Sequence, residues 1–224
     1  IFNSEIAGID RADFIFIIGS DPRWEAPVLN SRIRKRYLAG NLDVAFLGSL
    51  PERENGLTYP YIELGSDPSI LNDIAAGSHE INKKINSAKF PMIIIGNSAA
   101  CRSDSSAILF KTGEIAEKYN FIRDDWNGFN FISSVASRVG ALDLGFVPGQ
   151  GGYDFNSIIE NSKNGNLDII YLLAADEFEV DKLSNSFIIY QGHHGDIGAK
   201  NADVILPGAA YTEKNATYVN LEGK

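Results

Sequence analysis

The fold is decided by a stretch near the amino end, Asp13-Phe14-Ile15-Phe16-Ile17-Ile18-Gly19-Ser20-Asp21-Pro22. One acidic residue precedes five consecutive apolar ones, and a Gly-Ser-Asp-Pro turn stops the run. An apolar run without alternation has no face for water, the pattern of a strand buried on both sides of a parallel sheet. Pro27 follows, where the first turn of a helix tolerates a residue lacking an N–H. Leu29, Ile33 and Tyr37 recur at i, i+4 and i+8, so one stripe of that helix is apolar. Arg34, Lys35 and Arg36 crowd its last turn, where cations meet the negative end of the helix dipole, and Gly40 closes it. The basic run Arg32 to Arg36 reads as a solvated helix end.

The same rhythm extends outward. Asp43 to Gly48 predicts a second strand. Tyr61 to Gly65 predicts a third, near a sheet edge because Pro60 precedes it. Helices fit Ser69 to Ala76 and His79 to Lys89, and Pro91 to Gly96 predicts a strand. A helix follows over Asp104 to Tyr119, with Ile108, Ile115 and Tyr119 on one face and Ser103 as its cap. Asp124 to Gly128 reads as a turn, and Asn130 to Gly140 as a helix ended by Gly140. Gly145 to Tyr153 is a glycine-rich loop, the one candidate boundary. Beyond it come a helix over Asn156 to Lys163 and strands over Leu167 to Ala174, Ser186 to Gln191 and Ala202 to Leu206, the last stopped by Pro207-Gly208. Alternating strands and helices predict an α/β fold, a mostly parallel sheet flanked by helices in a Rossmann-like arrangement. The expectation is a single α/β domain over residues 1–224.

Composition narrows the function. The chain has 224 residues, 44% of them hydrophobic and 22% charged, which excludes a mainly disordered chain, a collagen or a coiled coil. Its net charge of −9 argues against a nucleic-acid partner. Cys101 is the only cysteine, so no internal disulfide, four-thiolate cluster or four-cysteine zinc site can form from this chain alone. Low cysteine use fits a reducing compartment. The longest apolar runs, Phe14 to Ile18 and Met92 to Ile95, fall far short of the roughly 20 residues of a spanning helix. The sole methionine is Met92 and the first residue is Ile1, so a piece of something longer, or a processed chain, is expected.

Open α/β sheets bind ligands in loops at the carboxyl ends of their strands. Those loops are Gly19 to Pro22, Gly96 to Ala99, Ala174 to Glu177 and Gln191 to His194. Gly96-Asn97-Ser98-Ala99-Ala100-Cys101 has one glycine, so the dinucleotide fingerprint fails; Gln150-Gly151-Gly152-Tyr153 lacks the lysine and hydroxyl of a phosphate loop. His193-His194-Gly195-Asp196 invites a metal, but adjacent side chains on an extended segment point to opposite sides, and a polar turn is the plainer reading. Cys101 beside Arg102 has the positive neighbour that a thiolate nucleophile needs, yet a small buried residue at a strand-to-helix turn is the more ordinary role. Asp124-Asp125 reads as a solvated turn. No nucleophile–base–orienter set emerges from the residues themselves.

Three stretches together resemble the molybdopterin oxidoreductase superfamily. They are Gly19-Ser20-Asp21-Pro22-Arg23-Trp24-Glu25-Ala26-Pro27, the segment Ala202 to Lys214 with its Ala-Asp-Val-Ile-Leu-Pro core, and Thr217-Tyr218-Val219-Asn220-Leu221-Glu222-Gly223-Lys224. Asn215-Ala216 stands where cofactor-bearing members often show Asp-Gly, and Lys224 where arginine is usual. Arg23 to Asn30, Val139 to Gly145 and Tyr190 to Asp196 resemble one branch, the large iron–sulfur subunit of the bacterial NADH:quinone oxidoreductase, respiratory complex I.

The resemblance implies 2Fe–2S and 4Fe–4S clusters in an amino-terminal region of the intact subunit and none in this piece. It implies a non-catalytic structural segment in contact with other peripheral-arm subunits, without direct membrane insertion. Its location would be the cytoplasmic face of the bacterial inner membrane, or the matrix side in mitochondria. No residue here matches the cysteine, selenocysteine or serine that binds molybdenum in active relatives. The alternative is a cofactor-binding molybdopterin-type oxidoreductase module in which the loops at Asp21, Asp176 and Asn220 still cradle a pterin. A generic nucleotide-binding enzyme has no fingerprint behind it.

Overall fold

The computed structural model describes residues 1–50, 56–195 and 197–224. They gather into two compact units, Ile1–Gly140 with Val219–Lys224, and Ala141–Tyr218.

The first unit opens with β1 (Phe14–Ile18), α1 (Pro22–Glu25), α2 (Pro27–Leu38), β2 (Asp43–Leu47) and β3 (Ile62–Glu63). It continues through α3 (Ile70–Ala76), α4 (Asn82–Ser87), β4 (Pro91–Ile95), α5 (Asn97–Ala100) and α6 (Ser105–Lys118). A short hairpin of β5 (Ile122–Arg123) and β6 (Trp126–Asn127) leads to β7 (Phe129–Phe131), and the boundary with the second unit falls within α7 (Arg138–Asp143). The sheet runs in the order β3-β2-β1-β4-β7, every pairing parallel, with Phe14 in register with both Asp43 and Pro91. Every residue of β1 and β4 is buried, as the unbroken apolar run of β1 predicts. Alternate residues of β1 feed opposite faces. Ile15 and Ile17 meet Leu29 and Ile33 of α2. Phe14, Phe16 and Ile18 meet Leu71 and Ile74 of α3, Ile85 of α4, and Ile108 and Ile115 of α6. Burial of each such side chain contributes about 1.5–3 kcal/mol, so the sheet is held from both sides. Asp13 ties the strand starts together: its carboxylate accepts the N–H groups of Lys89 at 2.7 Å and Phe90 at 2.8 Å.

Two expectations are corrected here. Asn130 to Gly140 is not one helix. Phe129–Phe131 is β7, which fills the free edge of β4, and α7 begins at Arg138 with Gly140 inside it. Asn130 is buried, donating to the Gly128 carbonyl at 3.1 Å and accepting the Ser4 N–H at 3.0 Å. Strand pairing across the chain thus overrides the local pattern. Nor does Ser103 cap α6: Asp104 holds the cap position without a side-chain cap bond, its carboxylate taken by Arg102. The turn at 124–125 forms as expected, while Trp126 and Asn127 join the hairpin.

The second unit contains α8 (Phe155–Lys163), β8 (Ile169–Leu173), β9 (Phe187–Gly192), α9 (Ile197–Lys200) and β10 (Val204–Pro207). Its sheet has the order β10-β9-β8 and is parallel throughout. Ile170, Leu172, Ile188 and Tyr190 form a small core with Val180 and Leu183, while alternate residues of β8 face outward. The α/β fold class, with its parallel strands flanked by helices, is therefore as the sequence predicts. Among the described residues no helix is long and apolar enough to cross a membrane.

Candidate functional site

Strand order in the first sheet reverses direction at β1: β2 lies on one side and β4 on the other. The crevice outside the carboxyl ends of such a pair is the ligand position of open α/β sheets. Here it has a volume of about 460 Å³ and is lined by Gly19, Ser20, Asp21, Gly48, Ser98 and Arg102 among others. Trp24, also in the lining, stands 81% exposed.

Two glycines let the loops of this crevice approach. Gly19 adopts φ +55° and donates its N–H to the Leu47 carbonyl at 2.8 Å. A Cβ on Gly96 would lie 2.3 Å from the Gly19 carbonyl oxygen and 2.3 Å from Ser20 Cβ. Gly96 is therefore required by backbone contact between the loops after β1 and β4, a role that the search for a three-glycine fingerprint does not look for.

Part of the crevice's polar lining is already hydrogen-bonded. Glu25 accepts the Ser20 hydroxyl at 2.9 Å and the Asp21 N–H at 3.0 Å. Arg102 forks onto Asp104 at 2.6 and 2.8 Å and holds that carboxyl below its usual range. Below the loop, Tyr59 donates to Asn30 Oδ1 at 2.9 Å, and Asn30 donates to the Leu57 carbonyl at 3.1 Å. Burial, and then the charge of Asp21, push the Tyr59 phenol above the usual tyrosine range. Sequence reasoning misses Glu25 and Ser20 as a bonded pair. The available signal is the spacing, an acidic residue four positions after Asp21 across the one-turn helix Pro22–Glu25.

The three loop candidates have different surroundings. Asp21 lines the crevice. Asn220 lies outside it, its Oδ1 accepting the N–H groups of Glu222 at 3.0 Å and Lys224 at 2.9 Å to fold the return segment. Asp176 belongs to the second unit, where its carboxylate accepts the buried Tyr190 hydroxyl at 2.7 Å. His193 and His194 do not diverge as expected: their rings lie 4.4 Å apart, edge to face, because the chain bends there as β9 ends. Asp196, the fourth residue of that motif, lies outside the described residues. Cys101 is exposed rather than buried, since it follows the single turn of α5 on the surface. The basic run is not simply solvated. Arg32 forks onto Asp10, Arg34 donates to the Thr58 carbonyl, and Arg36 donates to the Gly40 carbonyl. Asp125 pairs with Arg123 at 2.6 Å. The loop at 145–153 is exposed almost throughout.

Chemically, the crevice is poor in cations. Among its described lining residues the charged groups are Asp21, Glu25 and Arg102, and the guanidinium is already shared with Asp104. The phosphate of a pterin cofactor would meet two carboxylates, so this donor set does not fit it. Among the described residues no group of three or more His, Cys, Asp or Glu side chains is arranged to hold a metal ion.

Comparison with known proteins bears out the resemblance. The family model for molybdopterin oxidoreductase matches residues 1–224. Proteins named as the G subunit of NADH-quinone oxidoreductase are similar over the whole chain: 46% identical in Rickettsia bellii, 49% in Rickettsia felis and 48% in Rickettsia conorii. In each case the match covers 100% of this chain and 31% of the relative, so the chain spans about a third of their length. A family match running from Ile1 to Lys224, on a parallel sheet with its crevice at the β1–β4 switch, leaves one conclusion: the chain belongs to the molybdopterin oxidoreductase family.

Proposed function

We propose that this chain is a non-catalytic structural segment of the large iron–sulfur subunit of an NADH–quinone oxidoreductase. The observation that carries the reading is the carboxylate-lined crevice: Glu25 accepts the Ser20 hydroxyl and the Asp21 N–H, and the Arg102 guanidinium is forked onto Asp104. Similarity over the whole chain to the G subunits of NADH-quinone oxidoreductase supports the parent assignment. On this reading the 2Fe–2S and 4Fe–4S clusters belong to polypeptide outside these residues, as Cys101 alone cannot hold one. The partners are other peripheral-arm subunits, and the location is the cytoplasmic face of the membrane as part of the complex. The reading of residues 1–224 as one domain rests on the family match that runs through both units. The family match by itself favours a second reading, a pterin-binding oxidoreductase module.

A native gel of detergent-solubilised membranes tests the two. An antibody to this chain should mark a large band that also stains for NADH-dependent dye reduction and carries no molybdenum or tungsten. A smaller band without NADH activity, or either metal in the antibody-reactive band, would overturn the structural reading.

A further inference from the structure

The sheet of the second unit is covered on one side only. Register places Ile169 of β8 beside Phe187 of β9, and sets Tyr171 and Leu173 in rows that continue to Val204 and Leu206 of β10. These six side chains share one face, and all are exposed, Leu173 by 68% and Ile169 by 62%. None carries a charge. The helices and turns between the strands lie on the other face: Ile158 and Ile159 of α8, Val180 and Leu183, and Ala199 of α9 pack on the buried core there. A parallel sheet is ordinarily covered on both faces. Bare apolar faces of this extent mark a surface that something else covers.

The first unit shows what is missing. There, α2 lies on one face of the sheet next to β1 and β2. The second face is covered by α3, α4 and α6, the helices that accompany β4 and β7 on the other edge of β1. The second unit repeats the β1-β2-β3 half down to a hydrogen bond. Gly19, just after β1, has φ +55° and donates to the last residue of β2 at 2.8 Å. Ala174, just after β8, has φ +49° and donates to Gln191 of β9, the partner of Leu173, at 2.8 Å. So β8 stands where β1 does, and its free edge stands where β4 would pair. Because parallel crossovers are right-handed, strands added on that edge bring their helices to the opposite face.

We propose that a helix-bearing segment of the same polypeptide, outside these 224 residues, lies on the bare face of the β8–β10 sheet and pairs along the free edge of β8. The chain spans 31% of its relatives' length, which leaves ample polypeptide for the segment. A free parallel edge fits this occupant, because a parallel strand reaches its place through a crossover, as β4 reaches the edge of β1 in the first unit after α3 and α4. The proposal rests on the reading of the chain as part of a longer subunit, and not on its being non-catalytic.

The test uses the full-length polypeptide, with the photo-crosslinker p-benzoylphenylalanine replacing Leu173 and, in a second variant, Tyr171. Mass spectrometry should find crosslinks to peptides of the same polypeptide from outside residues 1–224, in the isolated subunit and in the complex alike. Crosslinks to another subunit, to a second copy, or to residues within 1–224 would overturn the proposal, as would none at all. Capture of another complex subunit would do so while leaving the subunit assignment standing. Hydrogen exchange on the unsubstituted full-length protein covers the case in which both variants misfold. Every second amide of β8 points to the free edge; those should exchange about a hundredfold slower than in unprotected loops, and fast exchange there counts against the pairing.

Discussion

At Gly96 there is no room for a side chain. A Cβ would meet backbone atoms of the loop after β1, which cannot move aside without displacing Asp21 and the crevice with it. Gly96→Ala should cost about 2–3 kcal/mol or more in urea unfolding, as overpacking does. Gly113, inside α6, has nothing within 4 Å of where a methyl group would stand. Gly113→Ala should therefore stabilise by about 0.5–1 kcal/mol through helix propensity. Equal effects at the two sites would refute the close-approach argument. Tyr59 gives a pH signature. Its buried phenol ionises above the usual range, while in the unfolded chain it ionises near pH 10. The stability it contributes is complete below about pH 10 and is lost above it by up to about 1.4 kcal/mol per pH unit. Tyr59→Phe should flatten the alkaline fall of stability, and an unchanged slope would show that burial does not hold this proton.

Among the elements, the strand starts of the first sheet depend on one carboxylate. Asp13 accepts two backbone N–H groups just before β4, and the two bonds fix where that strand begins beside β1. Asp13→Ala should cost about 2–3 kcal/mol, since hydrogen bonds to charged groups contribute more than neutral ones. A chemical-denaturation loss below about 0.5 kcal/mol would mean that water replaces the carboxylate without penalty. The elements also differ in how far the sequence foretells them. β1 and β4 are legible because an apolar run buried on both faces needs no context. β7 is not, because Phe129-Asn130-Phe131 is three residues long and becomes a strand only by pairing with Ile93 to Ile95. α1 and α5, each of four residues, are too short to leave a period.

The whole molecule divides into a unit with two core clusters and one with a single small cluster beneath a half-covered sheet. The second has less buried apolar area per residue and should unfold first. Both tryptophans, Trp24 and Trp126, belong to the first unit, and only Trp126 is buried. Tryptophan fluorescence thus reports the first unit, while far-ultraviolet circular dichroism reports both. In urea the dichroism transition should begin before the fluorescence transition. Coincident curves would mean one cooperative unit.

The positions of the long apolar strands, the parallel α/β class and the family were determined by the sequence alone, because an unbroken apolar run, a helical stripe and a run of matching residues are local facts. So was Asp21 as a loop residue at a strand end. What only the tertiary structure decided is which polar groups meet there. Glu25 accepts from the Ser20 hydroxyl and the Asp21 N–H, Asp104 neutralises Arg102, and Asp176 and Asn220 are spent on Tyr190 and on the 220–224 segment. The Tyr190–Asp176 bond joins separate elements and has no signal along the chain; the others join residues two to five apart, and the short spacing makes them possible while only the folded geometry selects them. The same holds for Gly96, whose necessity comes from a backbone that approaches it from the end of another strand.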